Sequence, residues 1–499
     1  MSSKERHGSR TRDTHAKNRS AELMRVATAS LRSNWLPDVF ASVFDVIALN
    51  GRGMRFHEVP REHSQALAEF LQLHVGELRR CQNRRLGSMS ASFKTFLRRA
   101  LARYADELSD DSGREVMFAL NAIDRVFWGV SPGARGADLW PYLGMYRALL
   151  REQRPLLRGV SGHLLPRVGR AAQPARSERD FFSSLCRMQA HDGCGIEYLL
   201  CDRLGPTGAA PLAPGRRSMR VGVVAAVQHP SELSWTVDKR RQVYSVALKP
   251  EAEAAVIRRT LAGLQWLAAE GAEIVLLPEL VASTALDERV REWLLACKSS
   301  KPRLVITGTY LKSVPGRRQA RNRAHAVDGD GLELWYQDKM HQYNFTADHQ
   351  RDGGCILADE ALVEDIDVSD RSLVIVDSPL GERIAIQICE DFARTVPQKQ
   401  LLVEAGVNVL LVPVMAAAKK HPPAIKTEWL KRCALDFADE VRALSLVSNS
   451  GALLCPEGRP REVSDYVCAV DSYKTKTYNS AKPFPGLTEI DAILLQVEL

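Results

Sequence analysis

Three apolar segments of the chain each end in a side chain suited to acid–base or nucleophilic chemistry. The segment that ends in Glu279 reads IVLLPE, the one that ends in Lys339 reads LELWYQDK, and the one that ends in Cys389 reads IAIQIC. Short apolar runs and strict alternation of this kind predict buried strands. In sheets flanked by helices, ligands bind at the carboxyl ends of the strands. We therefore expect the three side chains to meet at one edge of a sheet.

A glutamate, a lysine and a cysteine together supply the groups that acyl transfer requires. The thiol attacks an electrophilic carbon, the carboxylate takes the thiol proton and later activates water, and the ammonium stabilises the negative oxygen. A positive charge also lowers the pKa of a nearby thiol, so Lys339 is expected to favour the Cys389 thiolate. This chemistry predicts a cysteine hydrolase that needs no metal ion and no dissociable cofactor.

Other common functional classes are excluded by inspection. The sequence contains no GxxxxGK(S/T), no HExxH, and neither GxGxxG nor GxSxG after a strand,. The ten cysteines are scattered without a CxxC pair, which is typical of a reducing compartment. No apolar stretch approaches the roughly 20 residues of a membrane-spanning helix, and residues 1–19 are polar and mostly basic. We expect a cytoplasmic protein without membrane contact.

The chain changes character near residue 217. Residues 1–217 contain 34 Lys and Arg against 22 Asp and Glu, a balance of +12, whereas residues 218–499 have a balance of −4. The stretch 205–217 is rich in Pro and Gly, as linkers are. The sequence therefore predicts a flexible basic tail over 1–19, an Arg-rich all-helical domain over 20–204, a linker over 205–217 and a second domain over 218–499.

The helical domain is predicted from apolar residues that recur at spacings of three and four. Such a pattern covers 93–104, with basic residues between the apolar ones, and a similar pattern covers 178–188,. Arginine pairs bidentately with phosphate or carboxylate. The basic residues therefore indicate either a solvated surface or one that binds nucleic acid or an acidic protein.

The second domain alternates strand patterns with helix patterns, which predicts a layered α/β architecture. The predicted strands are Val221–Val227, Ile274–Leu277, Leu304–Thr307, Leu332–Tyr336, Leu373–Val376, Ile384–Ile388, Val409–Val412 and Leu444–Val447. The predicted helices lie at about 249–270, 285–298, 396–405 and 424–441.

The segments LLPEL, YQDKMH and ICEDF, in that order, resemble the three signature segments of the nitrilase superfamily of carbon–nitrogen hydrolases. The resemblance covers essentially all of 218–499. It implies an αββα sandwich, here preceded by an all-α domain, with Glu279 as general base, Lys339 as oxyanion-stabilising cation and Cys389 as nucleophile. It also implies hydrolysis of a carbon–nitrogen bond other than a peptide bond, through a thioester.

The residues beside the cysteine narrow the implied substrate. Cys389-Glu390-Asp391 is similar to amidase, carbamoylase and glutaminase members, whereas nitrile hydrolysers often carry Cys-Trp-Glu. Members also commonly carry a second glutamate shortly after the lysine. Here the segment MHQYNFTADHQRDGG contains only Asp348 and Asp352, which leaves the orientation of the lysine or thiol open.

Further residues are predicted to contact a small amide-type substrate. These are His341, Tyr343, Glu390, Met415 and Asn449. His341 and Glu390 have structural alternatives, since a histidine at a strand end and a carboxylate in a turn often serve only the backbone. Relatives pair through helices that flank the sandwich, so the resemblance implies a homo-oligomer through the helices near 396–405 and 424–441.

A second hypothesis for the whole chain is also open. The chain is then a nitrilase-fold scaffold or a partner-activated effector, of the kind linked to bacterial defence. Under this hypothesis the basic helical domain binds nucleic acid or an acidic protein.

Overall fold

A computed structural model gives the fold of most of the chain. The residues it describes are 21–22, 24–32, 36–50, 61–84, 89–107, 110–127, 162–166, 182, 184–189, 193–205, 218–298, 300–352, 355–378, 380–416, 428–441, 443–453, 467–470, 481–483 and 492–498. The chain divides into two compact units, Met1–Ala190 and His191–Leu499. Among the described residues, no helix combines the length and apolarity needed to cross a bilayer.

The N-terminal unit is mainly helical, as predicted. Its helices are α1 (Leu36–Asn50), α2 (Arg61–Arg84), α3 (Ala91–Glu107) and α4 (Asp110–Val126). The predicted apolar face of α3 is buried, with Phe93, Leu97 and Ala100 inaccessible to solvent. Helix α4 packs against α1, α2 and α3, so it lies at the centre of this unit.

The N-terminal unit also contains a two-stranded antiparallel sheet that the helical pattern did not indicate. Strand β1 (Gly162–Pro166) pairs with β2 (Leu185–Gln189). The predicted helix over 178–188 is therefore wrong at its C-terminal end. In β2 the buried Arg187 Nη2 lies 2.7 Å from the Asp45 carboxylate of α1, and this long-range ion pair, which spacing cannot reveal, ties the strand to the helices.

The C-terminal unit is built on two large sheets and one small sheet, as far as the described residues show. The first large sheet has the order β10 (Glu333–Asp338), β9 (Arg321–Asp328), β8 (Leu304–Lys312), β7 (Ile274–Leu276), β4 (Ser218–Val224), β19 (Ala492–Glu498) and β18 (Ala481–Pro483). The second has the order β17 (Val467–Val470), β16 (Leu444–Asn449), β15 (Val409–Val414), β14 (Arg383–Ile386), β13 (Ser372–Asp377) and β3 (Gly195–Leu200). The small sheet has the order β11 (Asn344–Phe345), β12 (Leu362–Glu364), β6 (Val243–Leu248) and β5 (Leu233–Asp238).

The two large sheets face each other and helices cover their outer sides. Gln337 of β10 donates to the Ser372 carbonyl at 2.8 Å and accepts from the Val374 amide at 2.9 Å, which joins the sheets across the interior. Helices α5 (Pro250–Ala269) and α6 (Thr284–Ala296) pack on the first sheet. The remaining helices are α7 (Ala347–Asp352), α8 (Glu390–Ala393), α9 (Gln400–Ala405) and α10 (Glu428–Val441), of which α10 packs on the second sheet. The predicted αββα sandwich is confirmed.

The helices on either side of β7 begin at recognisable sequence signals. Pro250 opens α5 and Glu251 and Glu253 lie in its first turn, where a fixed φ and negative charge favour a helix N-terminus. Ser283 caps α6 by accepting a hydrogen bond from the Leu286 amide at 3.1 Å,. These two helices fix the ends of the segment that carries Glu279.

The chain divides earlier than the predicted linker at 205–217. Strand β3 lies before that linker, yet it pairs in parallel with β13 and so belongs to the second large sheet. The Cys201 amide donates to the Asp377 carbonyl at 2.9 Å and extends this pairing. Pro and Gly mark a break in regular structure, but they do not show which sheet the preceding strand joins. Residues 206–217 and the predicted tail 1–19 lie outside the described residues.

Candidate active site

Glu279 lies just after β7, in a loop that reaches toward the second sheet. Its amide donates to the Val414 carbonyl of β15 at 3.3 Å. Leu280, the next residue, has a left-handed backbone conformation with φ +53°, and its amide donates to Thr309 Oγ1 at 2.9 Å. The Glu279 side chain is only 2% exposed, so its carboxylate depends on protein donors.

Lys339 follows β10 and is equally buried. Its backbone amide donates to the Asn322 carbonyl of β9 at 2.8 Å. Its ammonium lies 2.8 Å from Glu279 Oε1 and 2.6 Å from Glu364 Oε2. An ammonium has three N–H donors. Two are directed at these carboxylates, which leaves one for a third acceptor.

Cys389 follows β14 and occupies a conformation that L-residues rarely adopt. Its φ is +48° and its ψ is −102°, and the helix α8 begins at the next residue. Its amide donates to the Pro413 carbonyl at 3.0 Å, and its buried thiol lies near enough to Glu279 for that carboxylate to raise the thiol pKa. Strained positions of this kind cluster at functional sites when the surroundings hold them in place. The structure thus brings together all three predicted catalytic residues.

Glu364 of β12 lies against Lys339 in this cluster, and sequence analysis did not identify it. The absence of a glutamate between Lys339 and Asp352 is compensated by this later residue, because β12 returns beside β11 and pairs with it in antiparallel register. Asp348, by contrast, is exposed and pairs with Arg351 on the surface helix α7. The signal available in the sequence was the short strand ALVEDI, in which a carboxylate stands between apolar residues.

Burial and charge set the protonation states of the site. Burial and Glu364 raise the pKa of Glu279, although Lys339 opposes them. Burial alone would lower the pKa of Lys339, but Glu279 and Glu364 raise it well above its usual value. The lysine is therefore charged at neutral pH, and the raised pKa gives Glu279 the added basicity that suits a general base.

The expected Cys389 thiolate is not what this environment favours. Burial and the Glu279 carboxylate raise the pKa of the thiol well above its usual value, and the lowering effect of Lys339 is smaller. The sequence shows the lysine, but it shows neither the burial of the thiol nor how strongly the Glu279 carboxylate acts on it. At neutral pH the thiol is therefore protonated.

A cavity opens above these residues and has largely aromatic walls. Its walls include Trp235, Tyr244, Tyr343, Phe345 and Met415. The Trp235 and Phe345 rings stack with centroids 5.8 Å apart. Tyr343 and Met415 thus lie where a substrate contact was predicted. Cavities of this kind, apolar with a few convergent polar groups, are typical of small-molecule sites.

The other predicted substrate contacts are not among the residues that line this cavity. His341 Nδ1 lies 2.9 Å from Asp391 and joins the lysine segment to the cysteine segment. Glu390 forms an ion pair with Arg394 along α8. The Asn449 side chain accepts from the Ala416 amide at 2.9 Å and so supports the loop that carries Met415. These three residues shape the surroundings of the site.

Comparisons with known proteins give matches only among solved structures. No protein-family model and no curated protein matches the chain. A mutant of the Nesterenkonia AN1 amidase from the nitrilase superfamily matches 56% of this chain and 90% of its own, at 15% identity and a TM-score of 0.36. Another mutant of that amidase, with the acetamide moiety of fluoroacetamide added to its active-site cysteine, matches 58% of this chain and 93% of its own, at 12% identity and a TM-score of 0.37. The C. elegans NitFhit protein matches 56% of this chain and 61% of its own, at 15% identity and a TM-score of 0.37.

These matches cover the C-terminal part of the chain, and the N-terminal unit is unmatched. The amidase comes from the superfamily that the three sequence segments resemble. At this identity the likeness concerns the fold alone.

Proposed function

We propose that the C-terminal unit is a carbon–nitrogen hydrolase of the nitrilase superfamily that acts on a small amide through a Cys389 thioester. The observation that carries the proposal is the connected buried cluster. Glu279 and Glu364 both accept hydrogen bonds from Lys339, and the Cys389 thiol lines the same cavity as these three residues. Nucleophile, base and cation therefore meet at the floor of one cavity.

In the acylation step, Glu279 takes the thiol proton as the sulfur attacks the amide carbon. The remaining N–H of Lys339 stabilises the oxygen that becomes negative. The carbon–nitrogen bond then breaks, and the amine leaves with the proton that Glu279 had taken. The product of this step is a thioester between Cys389 and the acyl group.

In the deacylation step, the same carboxylate takes a proton from water, which attacks the thioester carbon. The carbon–sulfur bond breaks, the thiol regains its proton and a carboxylic acid leaves. Each step needs Glu279 to be ionised at its start. Activity should therefore fall as pH drops through the pKa of this carboxylate.

The reacting group is proposed to be the amide of a simple amide, a carbamoyl compound or glutamine, and nitriles are proposed to be poorer substrates. The Cys389-Glu390-Asp391 sequence supports this choice through its similarity to amidase, carbamoylase and glutaminase members. The aromatic walls support a small substrate with at least one apolar face,.

The test is ammonia release from a panel of small amides, carbamoyl compounds, glutamine and nitriles. Cys389→Ala should lower release by about 1,000-fold or more, because it removes the nucleophile. Cys297→Ala is the matched control, since Cys297 lies at the C-terminal end of α6 and does not line the cavity. Equal release by wild type and Cys389→Ala on every compound would refute the proposal.

A further inference from the structure

Asn322 of β9 is buried beside the catalytic cluster and donates to both of its carboxylates. Asn322 is only 1% exposed to solvent. Its Nδ2 lies 3.0 Å from Glu279 Oε1 and 3.1 Å from Glu364 Oε1. A side-chain amide has two N–H donors, so one amide group serves both carboxylates.

The orientation of this amide follows from its partners. Ionised carboxylates only accept hydrogen bonds, so the nitrogen of Asn322 must face Glu279 and Glu364. Within the described residues, Oδ1 of Asn322 is buried without a hydrogen-bond partner. Buried polar atoms are rarely left in this state. In this orientation the amide nitrogen donates to both carboxylates, and the amide oxygen is left without a hydrogen bond.

Asn322 also fixes the two groups that must act together. Its backbone carbonyl accepts from the Lys339 amide at 2.8 Å. Its side chain and the Lys339 ammonium both bond to Oε1 of Glu279, so Oε2 is the oxygen that remains to take the thiol proton. One residue thus orients the lysine through the main chain and the base through the side chain.

We propose that Asn322 is a positioning residue that holds the Glu279 and Glu364 carboxylates in place around Lys339 and favours the ionised form of Glu279. The proposal deepens the proposed function and rests on it for the turnover measurement. The physical reason is that hydrogen bonds to a carboxylate stabilise its charged form. The cluster holds two negative charges and one positive charge, and Asn322 adds donors without adding charge.

The test compares pH profiles of Asn322→Leu and wild type, both for ammonia release and for alkylation of Cys389 by iodoacetamide. Alkylation is followed on the peptide that contains Cys389 and needs no known substrate. Loss of the amide should raise the pKa of Glu279, so the acid limb of both profiles should move up by about one pH unit. We also expect kcat to fall about 10- to 100-fold with little change in KM.

Asn408→Leu is the matched control. The Asn408 side chain bonds to main-chain groups of Gly381 and Arg383, at the opposite end of the strands from Cys389. A merely structural role for Asn322 would lower thermal stability, as the control does, without moving the acid limb. That result would overturn the proposal.

A second variant covers the case in which Asn322→Leu does not fold. Asn322→Ser keeps a single hydroxyl donor, so its acid limb should move in the same direction by less, and an unmoved limb would again overturn the proposal. If wild type released no ammonia but the alkylation limb still moved in the variants, the proposed function would fail while the positioning role stood.

Discussion

Glu364 orients the Lys339 ammonium through a buried hydrogen bond. Its Oε2 accepts from Lys339 Nζ at 2.6 Å and from the Tyr343 amide at 3.1 Å, and its Oε1 accepts from Asn322. Both oxygens are therefore occupied by protein donors. This leaves Glu364 no role as a proton carrier and makes it an orienting acceptor.

Glu364→Gln should lower kcat and shift the pH profile downward. The variant removes the negative charge that raises the pKa of Glu279, so the acid limb should move to lower pH, opposite to the direction expected for Asn322→Leu. Weaker orientation of the lysine should reduce kcat by about 100- to 1,000-fold. Ammonia release across the acidic and neutral range measures both effects.

Glu382→Gln is the control for Glu364→Gln. Glu382 is a buried carboxylate paired with Arg303 at 2.5 Å, outside the cavity. Its loss should cost stability without moving the acid limb. An acid limb that moved upward in Glu364→Gln would contradict the charge argument.

At the residue scale, the sequence was sufficient for groups that end strongly apolar strands. Glu279, Lys339 and Cys389 each follow such a strand. Glu364 and Asn322 were missed because their strands are short or polar, β12 having three residues and β9 reading RNRAHAVD. The thiol pKa was misjudged because a linear sequence does not show burial.

Strand β8 holds the Glu279 loop through a glycine bulge. Gly308 has φ +82°, and a Cβ on it would lie 2.8 Å from the Pro278 carbonyl oxygen. The next residue, Thr309, bonds to Pro278, Leu280 and Ala282. The bulge therefore holds the loop that carries Glu279 in its conformation.

Gly308→Ala should reduce both stability and kcat. Strain at positive φ and the close carbonyl oxygen should cost about 1–3 kcal/mol in the free energy of unfolding, and displacement of Glu279 should lower kcat. Gly316→Ala isolates the backbone term, since Gly316 has φ +78° with nothing near its Cβ position. An unchanged kcat in Gly308→Ala would show that the bulge does not position the loop.

Strand β3 is anchored to the sandwich through a tyrosine that bonds to a buried ion pair. Arg383 donates to Asp377 through Nε at 2.6 Å and Nη2 at 2.7 Å. Tyr198 of β3 donates its hydroxyl to the same carboxylate, and the Arg383 guanidinium lies 5.7 Å from the Tyr198 ring. The strand before the predicted linker is thus bound into the α/β unit.

Tyr198→Phe should lower the free energy of unfolding by about 1.5–3 kcal/mol, because the lost hydrogen bond is to a charged acceptor. Tyr336→Phe is the control: Tyr336 is 42% exposed and its ring contact with Arg323 survives the change, so we expect a loss below about 0.5 kcal/mol. Chemical denaturation measures both. Equal stability of wild type and Tyr198→Phe would make β3 peripheral.

At the element scale, all eight predicted strands of the second domain are present, and most of them have an apolar run that is buried. Strands β5 and β6 are among those that were missed. They are joined by residues 239–242, where Gln242 adopts φ +52° without a glycine to mark the turn.

At the scale of the whole molecule, the two parts of the chain differ in charge. The excess positive charge lies in residues 1–217. Homo-oligomerisation through the flanking helices stays a prediction that a mass measurement in solution checks.

The basic N-terminal unit is proposed to bind nucleic acid, with α3 as one contact surface. Arg98 and Arg99 are neighbouring exposed residues on this helix. If they contact phosphates, affinity for random-sequence RNA or DNA falls steeply with salt, because each contact releases counterions. Arg98→Glu with Arg99→Glu should then weaken binding and reduce the salt slope by about 2.

The matched control reverses the charges of Lys239 and Arg240, an exposed cationic pair in the α/β unit, and should leave the salt slope unchanged. Absence of binding at low salt, or equal slopes for the two double variants, would assign the arginines of α3 to a solvated surface.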